Sequence, residues 1–222
     1  MRTRASSEIV ARRSSAALCL TLVVAFVCGV WWQTGGLEVW TFEGRRQLQV
    51  AAGSLQAPAV ALRDADGSED AAPWRAHDTS SRAYLVDFIY TRCPGVCRAL
   101  GNQYQQMQRE LLTSAQHDPA YDRVQLLSVS FDVAHDGVPQ LHEAAMRLGA
   151  QPRRWRFVVP ASDAGSRTLL RALGVVAIPD GTGGFVHNGD IHLLDGQGRL
   201  RALFGFDEWR QALVAARVLA AQ

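Results

Sequence analysis

The chain has 222 residues, 48% of them hydrophobic, enough for one well-cored domain with an appendage and too few for two full domains. All 23 basic residues are Arg, so lysine Schiff-base chemistry and a P-loop lysine are excluded. With 21 acidic residues the net charge is only +2 and the arginines are dispersed, which argues against a nucleic-acid partner.

Residues 1–13 form a basic N-terminus carrying Arg2, Arg4, Arg12 and Arg13, followed by an uncharged apolar segment at 14–32. At the rise of an α-helix that segment is long enough to cross a hydrocarbon core of about 30 Å. It predicts a single transmembrane anchor with the N-terminus in the cytoplasm, and Trp31 and Trp32 would mark the far interface. No clear small-x-small cleavage site follows it, Thr34-Gly35-Gly36 being the best candidate, so an uncleaved anchor is favoured over a removed signal peptide. Cys19 and Cys28 inside this segment read as small apolar residues. The rest of the chain is then expected in the periplasm, bound to the inner membrane, where thiols are oxidised unless something reduces them.

Residues 33–57 read as a juxtamembrane linker and 58–222 as the soluble domain. A strand is predicted at 59–62, with a turn at Asp64-Ala65-Asp66-Gly67, and the polar stretch 68–82 reads as loop. Residues 84–90 are rich in β-branched and aromatic types and too short for a convincing helix, which predicts a buried strand. Pro94 suits the first position of the helix that follows, and Leu100, Tyr104, Met107 and Leu111 supply its apolar face. Cys93 would then fall at or near the N-cap.

Further strands are expected at 124–131 and 155–159, and helices at 139–148 and 162–173, the latter capped by Ser162 and stopped by Gly174. A hairpin is expected at 191–204, turning at Asp195-Gly196-Gln197-Gly198, and a final helix at 207–219 with Asp207 as its cap. Strand and helix alternate, so the fold class is α/β, and the order of elements around the early cysteine pair is that of a thioredoxin-like fold.

Cys93 and Cys97 are the only cysteines of the soluble part. Four positions apart at a helix start, they share one face with Cβ atoms about 5–6 Å apart. Such a pair can converge on one metal ion or close a disulfide. Unpaired N–H groups at a helix N-terminus favour thiolate, which is both nucleophilic and a ligand for soft metals. Two thiolates leave a copper ion short of one ligand, and there are six histidines: His77, His117, His135, His142, His187 and His192. His117 and His142 fall in or beside helices, His77 and His135 in polar loops, and His192 within a strand. His187 follows the glycine-rich stretch Gly181-Thr182-Gly183-Gly184, where a flexible segment can carry an imidazole to the cysteines; a loop histidine with no ligand role satisfies the same spacing.

The segment Phe88-Ile89-Tyr90-Thr91-Arg92-Cys93-Pro94-Gly95-Val96-Cys97 resembles the F-x-[YF]-T-x-C-P-x-x-C signature of the Sco/SenC family of membrane-anchored copper chaperones for cytochrome c oxidase. Ser130-Phe131-Asp132, with Asp136 and Pro139, resembles that family's S-x-D-x-x-x-D-x-P segment, with one residue more before the proline. His187 and the stretch Leu193-Leu194-Asp195-Gly196-Gln197-Gly198 resemble its H-[ST] stretch and hairpin, Asn188 replacing the hydroxyl residue. The resemblance implies a thioredoxin-like fold and a copper ion on Cys93, Cys97 and His187, a donor set that suits Cu(I) and can hold Cu(II). It implies delivery to the dinuclear copper site of cytochrome c oxidase subunit II or another cuproprotein, with a copper donor or thiol reductant as further partner. Asp132 matches an acidic position near the family's site, where it would orient a ligand or meet a partner, or else simply close a strand-end turn. Gly95 and Arg98 depart from the family's Asp and Pro, removing a negative charge and adding a positive one, which should lower the thiol pKa.

Two functional readings follow from these residues. One is a metallochaperone working by ligand exchange. The other is a periplasmic thiol-disulfide oxidoreductase in which Cys93 attacks a partner's disulfide, Cys97 resolves the mixed disulfide, and His187 is dispensable. A peroxiredoxin-like peroxidase is disfavoured because Tyr90 stands where such enzymes place a threonine.

Overall fold

The computed structural model describes residues 2–36, 41–75, 81–93 and 95–222. His77 and Pro94, singled out above, lie outside them. The chain divides into two compact units, Met1–Leu48 and Gln49–Gln222.

The first unit holds the long helix α1 (Arg2–Gln33). Its described large apolar side chains, including Leu18, Leu20, Leu22, Phe26 and Trp32, are exposed. Among the described residues no helix is long and apolar enough to cross a membrane. The stretch 33–57, read as a juxtamembrane linker, contains a second helix, α2 (Phe42–Ala51).

The second unit is built on a seven-stranded mixed sheet. Its strands in chain order are β1 (Ala61–Asp64), β2 (Glu69–Ala71), β3 (Ala83–Ile89), β4 (Val124–Ser130), β5 (Trp155–Pro160), β8 (Ile191–Asp195) and β9 (Leu200–Phe204). Across the sheet they run β2-β1-β5-β4-β3-β8-β9, with β3, β4 and β5 parallel and the outer pairings antiparallel. A separate two-stranded hairpin, β6 (Ala177–Pro179) and β7 (Phe185–His187), follows the helix α5 (Asp163–Ala172). The remaining helices are α3 (Val96–Ser114), α4 (Val138–Arg147) and α6 (Trp209–Ala220).

The alternation along β3 explains its central place. Ala83, Leu85 and Ile89 face one apolar layer, which they share with Leu100, Tyr104, Met107 and Leu111 of α3 and with Trp209 and Leu213 of α6. Tyr84, Val86, Phe88 and Tyr90 face the other layer, with Phe131, Leu169 and Leu200. Both faces are covered, so the strand is apolar throughout save for one residue, Asp87.

Several boundaries differ from expectation. α3 begins at Val96, two residues later than expected, with Gly95 as its N-cap, so Cys93 lies near the cap, as expected, without forming it. The polar stretch 68–82 contains β2, a three-residue edge strand whose Glu-Asp-Ala sequence carries no apolar alternation. α6 is capped at Glu208 instead of Asp207 and has no side-chain cap bond. Ser162, by contrast, does cap α5, accepting from the Gly165 N–H at 3.1 Å.

The β8–β9 turn depends on Gly198, which has φ +77° and whose added Cβ would lie 2.6 Å from Cδ1 of the buried Trp74. Gly198→Ala therefore combines left-handed strain with a clash. A loss of about 2–3 kcal/mol in chemical denaturation is expected, whereas an unchanged midpoint would show that Trp74 moves aside freely.

Candidate metal centre

Cys93 ends the loop leaving β3, and Cys97 lies in the first turn of α3. The Cys97 N–H is one of the helix's unpaired amides and points to the Cys93 Sγ at 3.4 Å. Cys97 is half-buried between the two apolar layers.

His187 reaches the pair from the end of β7. Its Nε2 lies 3.4 Å from the Cys97 Sγ. On the other side of the ring Nδ1 is 3.1 Å from the Asn188 carbonyl oxygen, which can only accept, so Nδ1 carries the proton and Nε2 presents its lone pair to the sulfur. Burial holds the imidazole's pKa below its ordinary value, which keeps it neutral. The two sulfurs and one ring nitrogen all lie within 4.8 Å of one another, and this is the group among the described residues that can hold a metal ion. Two soft sulfurs with one neutral imidazole fit a copper-like ion.

Aromatic packing brings the histidine there. The Tyr90 hydroxyl, at the end of β3, accepts from the Phe185 N–H at 3.2 Å and lies 3.4 Å from the Phe185 carbonyl. Tyr90 and Phe131 each stand edge to face with the imidazole, the Phe131 and His187 centroids 5.2 Å apart, and Phe185 packs edge to face on both of them. His187 thus sits on a strand anchored to the base of the cysteine loop, where the sequence suggested a flexible segment.

The other described histidines lie elsewhere. His117, His135 and His142 are exposed, and His192 is fully buried against Phe88 at 5.1 Å. Asp132 does not join the ligand atoms. Its carboxylate, on a nearly buried side chain, takes Arg92 at 2.8 Å and His135 at 2.9 Å, and so acts on the loop through the residue before Cys93.

The residue that clamps the loop is Asp136, which sequence reasoning noted only as part of a motif. Fully buried, it accepts from the Thr91 N–H at 2.8 Å, the Thr91 hydroxyl at 2.6 Å and the Ser130 hydroxyl at 2.6 Å. Thr91 two residues before the first cysteine, with Ser130 and Asp136 six apart, was the available signal.

The expected lowering of thiol pKa does not hold for Cys97. Burial pushes this thiol well above its usual range, with the neighbouring Cys93 adding to the effect. Desolvation therefore outweighs the hydrogen bond to the Tyr90 backbone, which acts the other way.

Asp87 was missed altogether because it interrupts an otherwise apolar strand. It is 1% exposed on β3, and burial pushes its carboxyl pKa up to about 7. Because the folded pKa exceeds the unfolded one, the folded state binds the extra proton between about pH 4 and 7. Stability falls across that window as pH rises and is level above it. Asp87→Asn should abolish this slope and gain stability relative to wild type at pH 8, by up to roughly 4 kcal/mol, with no gain at pH 4. Parallel slopes for the two proteins in denaturant titrations at these pH values would show that Asp87 is not the group responsible.

The sequence model of the SCO1/SenC family matches residues 67–221. No curated protein matches the chain. Among solved structures, a SCO1/SenC family lipoprotein from Bacillus anthracis is similar, with a TM-score of 0.62 at 16% identity, covering 75% of this chain and 95% of that one. ScoI of Bradyrhizobium japonicum with copper bound gives 0.59 at 18% identity, covering 74% and 99%. ScoI of Arabidopsis thaliana with copper bound gives 0.60 at 14%, covering 75% and 98%. These likenesses show that about three-quarters of the chain shares their fold.

Proposed function

The chain belongs to the SCO1/SenC family, and from that premise we propose that it binds copper through Cys93, Cys97 and His187 and passes the ion to the dinuclear copper site of a cytochrome c oxidase subunit II. The observation that carries this reading is the convergence of two sulfurs and an imidazole nitrogen within 4.8 Å. The copper-bound ScoI structures named above support the choice of metal. Copper is cargo here. The protein's part is to present three ligands of graded softness at a half-buried site, so that an incoming donor set can replace them one at a time.

The exposed apolar side chains of α1, among them Leu18, Leu22, Phe26, Trp31 and Trp32, support an anchor within 14–32 that holds the second unit on the periplasmic face of the inner membrane. Extraction of the membrane fraction at alkaline pH should leave the full chain in the pellet; release into the supernatant would remove the anchor from this reading.

The test of the transfer step mixes the reduced full chain, loaded with one equivalent of Cu(I), with half an equivalent of the metal-free copper domain of subunit II, and then adds ferricyanide as a one-electron oxidant of the filled site. Appearance of the dinuclear copper spectrum in the target, with loss of copper from the donor, is expected. Failure to transfer despite tight binding would leave a copper-binding protein with a different recipient.

The closeness of the two sulfurs supports a second reading, thiol-disulfide exchange. Cys93 would attack a partner's disulfide and Cys97 would displace it. The partner leaves as a dithiol, this chain is left with a Cys93–Cys97 disulfide, and an external thiol reductant resets it. His187 separates the two readings, since only copper binding requires it.

A further inference from the structure

Beside the cysteine loop lies a cavity of about 380 Å³, a size within the roughly 300–1,000 Å³ range of small-molecule sites. The function proposed above leaves it unused. Cys93 and Cys97 both line it and His187 does not, so it reaches the sulfurs from a side that the imidazole does not share.

Its polar groups are arranged by depth. At the buried end is Asp87, with Ser128 beside it. Ser128 itself accepts from Trp155 Nε1 at 2.9 Å. The Asp87 Oδ1 has no hydrogen-bond partner among the described residues, a costly condition for a buried carboxylate that a ligand's cationic donor would relieve.

At the exposed end are Arg98, which makes no ion pair among the described residues, and Arg147, held only by a 3.5 Å contact to Glu143 on the surface. The third arginine of the lining, Arg92, is occupied by Asp132. The walls between are apolar, with Leu148, Trp155 and Phe157. Above pH 7, where Asp87 is ionised, such a site offers an anion inside, guanidinium groups at the mouth and two cysteines in the wall.

We propose that this cavity binds a zwitterionic amino-acid-derived thiol, with its ammonium on Asp87, its carboxylate on Arg98 and Arg147, and its sulfur against Cys93 and Cys97. An ammonium satisfies the orphaned oxygen, and a carboxylate suits the guanidinium groups at the mouth. A sulfur placed there is a third soft donor beside the pair. Where the copper reading holds, this thiol is the carrier from which the ion arrives, but the binding site does not rest on that reading.

The test titrates the reduced, metal-free full chain under anaerobic conditions with L-cysteine, cysteamine and 3-mercaptopropionate, followed by calorimetry. Because no copper is present, the outcome is independent of whether the copper reading stands. L-Cysteine is expected to bind one-to-one. Cysteamine, which lacks the carboxylate, and 3-mercaptopropionate, which lacks the ammonium, should each bind at least about tenfold more weakly, as loss of one charged contact implies. Asp87→Asn should erase the advantage over 3-mercaptopropionate, and Arg98→Gln with Arg147→Gln the advantage over cysteamine. Should Asp87→Asn fail to fold by circular dichroism, the two exposed arginines decide the matter. No saturable binding of L-cysteine overturns the proposal, and so does equal affinity for all three thiols that none of these variants moves.

Discussion

His187→Ala is expected to lower the affinity of the reduced protein for copper by about 100-fold or more, beyond the 10–100-fold typical of losing a residue that only orients a ligand. Cys97→Ser should do at least as much, because it exchanges a soft thiolate for a hydroxyl that a soft ion does not favour. The reason lies in the geometry: the imidazole Nε2 stands 3.4 Å from the Cys97 sulfur with its lone pair directed at it. The fold should survive the histidine change. His187 is only half-buried, on a two-stranded hairpin outside the main sheet, so circular dichroism should be unaltered. The measurement is competition against a strong Cu(I) chelator, with disulfide reduction assayed in parallel. Full copper affinity in His187→Ala would refute the third-ligand assignment. Loss of disulfide reduction in the same variant would tie His187 to the thiol chemistry instead.

The second large effect is expected at Asp136. Its carboxylate accepts three hydrogen bonds within 2.8 Å, two of them from Thr91, and no solvent reaches it. Asp136→Ala leaves the Thr91 amide and two hydroxyls without their acceptor in a buried place, and each such orphan costs about 1–3 kcal/mol. A destabilisation of about 3–5 kcal/mol is expected in chemical denaturation. The same change frees the loop two residues before Cys93, so copper should leave faster from whatever fraction stays folded. A loss below about 1 kcal/mol, within the range of an ordinary surface change, would mean that water or another acceptor replaces the carboxylate and that the loop is held elsewhere.

Much of the sheet was legible because its signals are local. The apolar run at 84–90, the β-rich run at 124–131 and the apolar face of α3 are each read within one element, and all of them become core. The strands that escaped, β2 and the β6–β7 hairpin, are three residues long and exposed on at least one side, with too few residues to show a period. Asp87 escaped for the opposite reason. In a strand that is apolar on both faces, one carboxylate looks like an error of pattern until its burial is seen.

The sequence alone determined the chemistry on offer: a cysteine pair four apart after a buried strand, and a shortlist of imidazoles. Those properties follow from periodicity and composition, which act over a few residues. Only the tertiary structure decided which imidazole meets the pair. That contact joins residues 90 positions apart, made through Tyr90, Phe131 and Phe185, and no local pattern records it. It likewise decided that Asp132 grips Arg92 while Asp136 clamps Thr91, and that burial pushes the Cys97 thiol up. Desolvation and long-range hydrogen bonds depend on what packs around a group, and packing is a property of the whole fold.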